Sequence, residues 1–198
     1  WFQGKHAEAQ RLVQDNMPPR ISPRSHQTLG DLRITMNSGG NAPVVSCQSG
    51  HEAYFEKESV ASCVDGDPST KWCVEHGDKP VVWQIDLPQA ETVSSYSLTA
   101  ANDVPQRDPR QWTLEGSEDG DEWVILHRAN DQKPMKKRGS RKRFKIREPK
   151  PMSHYRIRFE PNPGVPHFQL AEISLDGVVI GSSVPEDYRR DLDLDRAV

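Results

Sequence analysis

Long hydrophobic runs are what this sequence lacks first. No apolar stretch approaches the ~20 residues that a membrane-spanning helix needs, which excludes that mode of insertion. A strong charge of one sign is lacking too. The chain has 26 basic residues against 29 acidic ones, a net charge of −3, so bulk charge points to no polyanionic partner. Cysteine is scarce and odd in number: Cys47, Cys63 and Cys73 cannot all be paired, and one disulfide with a free thiol or three thiols both stay open. There is no initiator methionine and no signal peptide; the chain opens on Trp1 in helix-like text and reads as a segment of a longer protein. Aromatics make up 7% of the residues, yet five tryptophans and many short apolar runs suffice for a modest core.

What is present falls into three textures. Phe2, Ala9, Leu12 and Val13 recur at helical spacing within residues 1–16, and Asn16 followed by Met17-Pro18-Pro19 stops that short helix. After a Pro/Ser-rich connector, LGDLRITM (29–36) alternates as a strand, and NSGGNAP (37–43) has the composition of a boundary loop. From Val44 onward the chain becomes a series of short strands. VVWQIDL (81–87), SYSLTA (95–100) and YRIRF (155–159) alternate apolar and polar residues. QWTLEGS and EWVIL flank a hairpin turn at Asp119-Gly120. Regular short strands without helical periodicity imply an all-β antiparallel sandwich or barrel. After Gly181, PEDYRRDLDLDRAV reads as one further strand.

Within SVASCVDGDPSTKWC (59–73), Asp65, Asp67 and Thr70 lie within six residues, and Gly66 and Pro68 fold the backbone tightly between them. An EF-hand would need Gly at the sixth position from Asp65 and Glu at the twelfth; Thr70 and His76 stand there instead. A plain turn and half of an oxygen-ligand calcium site are the two readings that spacing leaves, the turn ahead.

The order of five segments goes further. The loop VASCVDGDPSTKW, the strand VVWQIDL, the hairpin WTLEGSEDGDEW, the strand YRIRF and the ending QLAEISLDG together resemble the discoidin-like family, the coagulation factor 5/8 type C domains that include carbohydrate-binding module family 32. The resemblance covers about residues 44–178 and implies a jelly-roll β-sandwich. It implies a structural calcium held by the Ser62 carbonyl, Asp65, Asp67, Thr70, the Ala171 carbonyl and Glu172. It also implies a glycan site in loops at one end of the sandwich.

By loop position the glycan candidates are His51, Glu52, Tyr54, Glu75, His76, Asn102, Asp103, Arg107, Asp108, His167 and Phe168, with galactose or fucose as the expected sugar. Sugar recognition needs planar donors and acceptors for hydroxyls and an aromatic ring for the apolar face, and an arginine would offer a bidentate pair. Arg107 and Asp108 fit equally well as a salt bridge tying down their loop, and His51 and His76 as solvated loop residues. Cys73 follows Trp72 where several sugar binders show His, a departure from the galactose pattern. Cys73 and His76 without a C-x-x-C pair give no zinc signature, and nothing marks an oriented base or oxyanion hole for a Cys–His nucleophile. KPMKKRGSRKRFKIR (133–147) holds nine Lys or Arg; a solvated hairpin with Phe144 and Ile146 facing inward is preferred over a patch for sulfated or phosphorylated polymers.

The flanks resemble a different family. FQGKHAEAQRLVQDNM, SHQTLGDLRITM and YRRDLDLDRAV resemble consecutive pieces of the N-terminal β-domain of glycoside hydrolase family 95, which includes α-L-fucosidases. The organisation so implied is host sequence over 1–43, a discoidin-like insert over 44–178 and host sequence again over 179–198. An inverting glycosidase needs a general acid and a general base across the sugar, and no motif here supplies that pair. The chain is therefore expected to be non-catalytic, with a glycan and the rest of its parent hydrolase as partners and no nucleic acid. By analogy with glycan-degrading enzymes the compartment is expected to be extracellular or periplasmic.

Overall fold

The computed structural model describes residues 31–35, 42–48, 53 and 55–180. The helix expected over 1–16 and the strand expected after Gly181 lie outside the described residues. So do His51, Glu52 and Tyr54.

Three sheets form two layers. The larger is six-stranded in the order β1-β2-β4-β9-β6-β7: β1 Asp31–Thr35, β2 Val44–Gln48, β4 Val81–Thr92, β9 Pro151–Phe159, β6 Trp112–Ser117 and β7 Val124–Ala129. Facing it are a pair, β3 Trp72–Glu75 with β10 His167–Leu170, and a three-stranded sheet β11-β5-β8 made of β11 Glu172–Leu175, β5 Ser95–Thr99 and β8 Arg141–Lys145. All pairings are antiparallel. The all-β sandwich read from the strand texture is what the chain forms. β1, from the segment assigned to the host domain, hydrogen-bonds to β2 in the register Asp31↔Gln48 to Thr35↔Val44, so the sheet continues across the boundary loop.

The core follows from alternation. Val81, Trp83, Ile85 and Leu87 of β4 are buried, as are Tyr155, Ile157 and Phe159 of β9, and Trp83 sits opposite Ile157. From the other layer, Tyr96 and Leu98 of β5 and Ile173 and Leu175 of β11 turn inward. Trp112 Nε1 donates to Tyr96 Oη at 2.7 Å, and the Phe144 ring meets Trp112 edge-on at 5.1 Å, locking the layers together. Two glycines serve the β6–β7 hairpin. Gly120 sits at φ +87°, and a Cβ on Gly116 would stand 2.7 Å from Met152 Cγ and 2.8 Å from Leu126 Cδ1, so only hydrogen fits there.

The loops at one end bind one another. Glu160 N donates to Gln111 O, Gln132 N to Arg110 O, and Asn162 Nδ2 to the carbonyls of Gln106 and Asp108. This end carries the loop that holds Asn102, Asp103, Arg107 and Asp108.

Candidate functional site

The aspartate loop folds around a set of oxygens. Thr70 Oγ1 lies 2.8 Å from Asp65 Oδ2, 2.9 Å from the Asp67 carbonyl and 3.2 Å from the Ser62 carbonyl. Asp67 turns its carboxylate the other way, accepting from Ser69 N at 2.9 Å and Ser69 Oγ at 2.6 Å, and this holds it below the usual carboxylate range. Glu172, at the start of β11, comes up to Asp65 from the far end of the fold. Burial first, then the Asp65 carboxylate against it, pushes Glu172 up to about 8. Glu172 Oε1 is buried without a hydrogen-bond partner. Among the described residues no three His, Cys, Asp or Glu side chains converge on a common point; the further oxygens here are carbonyls and a hydroxyl.

Beside this loop lies an ion-paired patch. Lys71, the residue before β3, is buried, with its Nζ 2.8 Å from Asp103 Oδ2 and 3.6 Å from Glu58 Oε1. Burial alone would raise the Asp103 pKa; the hydrogen bond and charge of Lys71 outweigh it and hold it low. Gln169 supports the same loop from β10, its Nε2 donating to the carbonyls of Asp103 at 2.8 Å and Val104 at 3.0 Å. Val104 sits at φ 22°, ψ 78°, a strained conformation for a β-branched residue that this buried amide helps to hold. Asn102 Nδ2 donates to the Ser69 carbonyl at 3.4 Å, and Arg107 Nη1 lies 3.9 Å from Cys73 Sγ, so the thiol meets a guanidinium. Phe55, one 3-10 turn before Glu58, is 68% exposed.

Several sequence candidates take other roles. Phe168 is a core residue: it is 5% exposed and packs 4.7 Å from Phe159 and 5.2 Å from Trp72, because β10 alternates and turns it inward. Asp108 is 1% exposed and pairs with Arg138, not Arg107, through a two-pronged contact at 2.8 and 2.6 Å, and it also accepts from Met135 N. His76 is buried, not solvated. Its Nδ1 accepts from Asp78 N at 3.0 Å and its Nε2 faces the Val165 carbonyl, which assigns the ring proton to Nε2. His167 is half-buried on β10 opposite Glu75. Burial raises the pKa of both Cys63 and Cys73 and keeps them as thiols, inert as nucleophiles. Phe55, Glu58 and Lys71 are absent from the sequence candidates. A cleft of about 480 Å³ at the same loop end, lined by Arg110, Lys133, Glu160 and three prolines, contains no aromatic ring.

Residues 62–157 match the family model described as the NedA-like, galactose-binding domain. The chain has a discoidin-like β-sandwich fold. Its fold resembles a family 32 carbohydrate-binding module from Clostridium perfringens solved with GalNAc-β-1,3-galactose: TM-score 0.57, 16% identity, over 73% of this chain and 99% of that one. It also resembles an F5/8 type C domain from Bacteroides fragilis: TM-score 0.58, 20% identity, over 74% and 95% of the two chains. In sequence, 93 residues are 36% identical to a peptide-N(4)-(N-acetyl-β-glucosaminyl)asparagine amidase of Arabidopsis thaliana, a match covering 46% of this chain and 13% of that protein.

Proposed function

We propose that this discoidin-like domain is a non-catalytic carbohydrate-binding module. The observation that carries the reading is Phe55, an exposed ring one turn from the carboxylate and ammonium groups of Glu58, Lys71 and Asp103. A pyranose laid on the ring would present its hydroxyls to acceptors on Glu58 and Asp103 and to donors on Lys71 and Asn102. The relative solved with GalNAc-β-1,3-galactose supports a galactose-type ligand.

Calcium belongs to the same proposal. An orphaned buried carboxylate oxygen on Glu172, beside Asp65, Thr70 and the Ser62 and Asp67 carbonyls, is an all-oxygen donor set that suits a hard cation. With the Ala171 carbonyl these residues would hold the ion. Its charge would offset the Asp65–Glu172 repulsion and tie the start of the sandwich to its last strand. The flanking motifs support placing the module inside the N-terminal β-domain of a family 95 glycoside hydrolase, a parent that acts outside the cytoplasm.

A glycan array on the chain in calcium tests the reading, with Phe55→Ala alongside. Selective binding to galactose- or fucose-terminated glycans, weakened about tenfold or more by Phe55→Ala at unchanged melting temperature, is the expected result. One observation favours a second reading, a structural insert that binds no sugar: Lys71, Glu58 and Asp103 already satisfy one another. Silence across the array from folded protein would establish that alternative.

A further inference from the structure

Of the nine Lys or Arg between Lys133 and Arg147, two are ion-paired among the described residues, Arg138 with Asp108 and Arg143 with Asp176. Strand β8 orders part of this charge. Lys142 and Phe144 stand opposite Leu98 and Tyr96 on the core side, so Arg141, Arg143 and Lys145 share the outward side. Their spacing is about 6.6–6.8 Å, two residues of strand. Opposite them on β5 are Thr99, Ser97 and Ser95, and Ser174 of β11 stands opposite Ser97. The outward positions of this sheet therefore carry three cations on the edge strand beside the buried hydroxyls of Ser95, Ser97 and Thr99, with Glu172 and the half-buried Ser174 on β11 beyond them. Arg141 Nη2 crosses the middle strand to donate to Ser174 Oγ at 2.6 Å. Arg143 donates to Ser95 Oγ at 2.8 Å and to Asp176 Oδ2 at 2.8 Å. Together they line a groove of about 320 Å³.

We infer that this face binds an acidic polysaccharide, a glycan chain bearing sulfate or carboxylate groups. A guanidinium grips either anion through paired N–H donors, and Arg141 spends one of its donors on a neutral hydroxyl. The half-buried Ser174 hydroxyl gives and accepts hydrogen bonds as sugar hydroxyls require, and Asp176 adds a strong acceptor that also holds Arg143. No aromatic stands at the outward positions of β5, β8 and β11, so a single-stranded nucleic acid would find nothing to stack on. No apolar side chain stands there either, which disfavours a membrane surface. The inference goes beyond the loop-end reading, and each stands without the other.

The test uses the whole chain, with heparin as the sulfated probe and polygalacturonate as the carboxylated one, titrated at several salt concentrations. The expected result is salt-sensitive binding that Arg141→Ser with Arg143→Ser weakens about tenfold or more, while Lys136→Ser with Lys137→Ser, an equal change in charge, weakens it less than about threefold. Phe55→Ala leaves it unchanged. Arg141→Lys with Arg143→Lys keeps the charge and the fold but loses the paired donors, and falls between. Binding of heparin alone assigns the groove to sulfate; binding of both polymers assigns it to either anion. Failure of the wild type to bind either polymer overturns the inference, as do equal losses in the two serine pairs or tighter binding of a single-stranded oligonucleotide. The neutral-glycan array reads the loop end separately, so one surface failing does not disguise the other.

Discussion

Among the described residues two aspartate carboxylates accept hydrogen bonds from arginines, and their surroundings give the two pairs different worth. Asp108 is buried and holds Arg138, which also donates to the carbonyls of Met135, Ala101 and Asp103, so one carboxylate anchors two loops. Asp108→Ala would leave a guanidinium without its counter-charge. It is expected to cost about 2–3 kcal/mol, discounted because the arginine is partly exposed, and to lower the melting temperature by roughly 5–10 °C in calorimetry. Asp176 faces solvent, and Asp176→Ala should leave the melting temperature nearly unchanged. If the two substitutions cost the same, burial is not what distinguishes the pairs. Gly116→Ala belongs beside them. Its new methyl meets Met152 and Leu126, and a loss of about 1–3 kcal/mol is expected on chemical unfolding.

Among elements, the aspartate loop and strand β11 are coupled through Glu172, and the coupling has a sign. In a chelator the folded carboxyl titrates at about 8 against an ordinary 4.5. Below about pH 4.5 it is neutral folded or unfolded and costs nothing. Between there and about 8 unfolding releases its proton, so stability falls as pH rises through that window. Melting scans in a chelator should show this decline, Glu172→Gln should flatten it, and added calcium should reverse it by favouring the ionised carboxylate. A decline that survives Glu172→Gln would assign it to another group. Asp103, Asp119 and Asp176, all held low, act below about pH 4 with the opposite slope, so they do not mask the effect. The loop's meeting with β11 was legible in sequence through family resemblance, not spacing. Strands β4 and β9 were legible from alternation alone, because β4 buries one face from Val81 to Leu87 and β9 from Tyr155 to Phe159. Strand β10 was not: four residues pairing with the four of β3 are too few to show a period, and Phe168 was placed in a loop. Phe55 was missed for a related reason. It sits in aperiodic text, and its exposure is set by tertiary packing.

For the whole molecule, the question is whether the sandwich is a unit in itself. Every buried apolar residue among those described falls between Val45 and Ile180, and the two layers are sewn together by Trp112, Phe144, Phe159 and Phe168 within that span. Strand β1 adds backbone hydrogen bonds at one edge of the six-stranded sheet, beyond the span that holds the described core. A fragment spanning residues 42–180 should therefore unfold in a single cooperative transition with a denaturant slope close to that of the full chain, since the slope follows the surface exposed on unfolding. Its melting temperature should rise with calcium, and Asp65→Ala should abolish the rise while leaving the transition cooperative. A fragment that binds a hydrophobic dye and melts without a clear transition would show that the flanks complete the core. The domain would then be one with its flanks and not a separable module. A cooperative fragment that ignores calcium would keep the module and remove the metal, leaving Glu172 as a buried acid whose protonation alone joins the aspartate loop to the last strand.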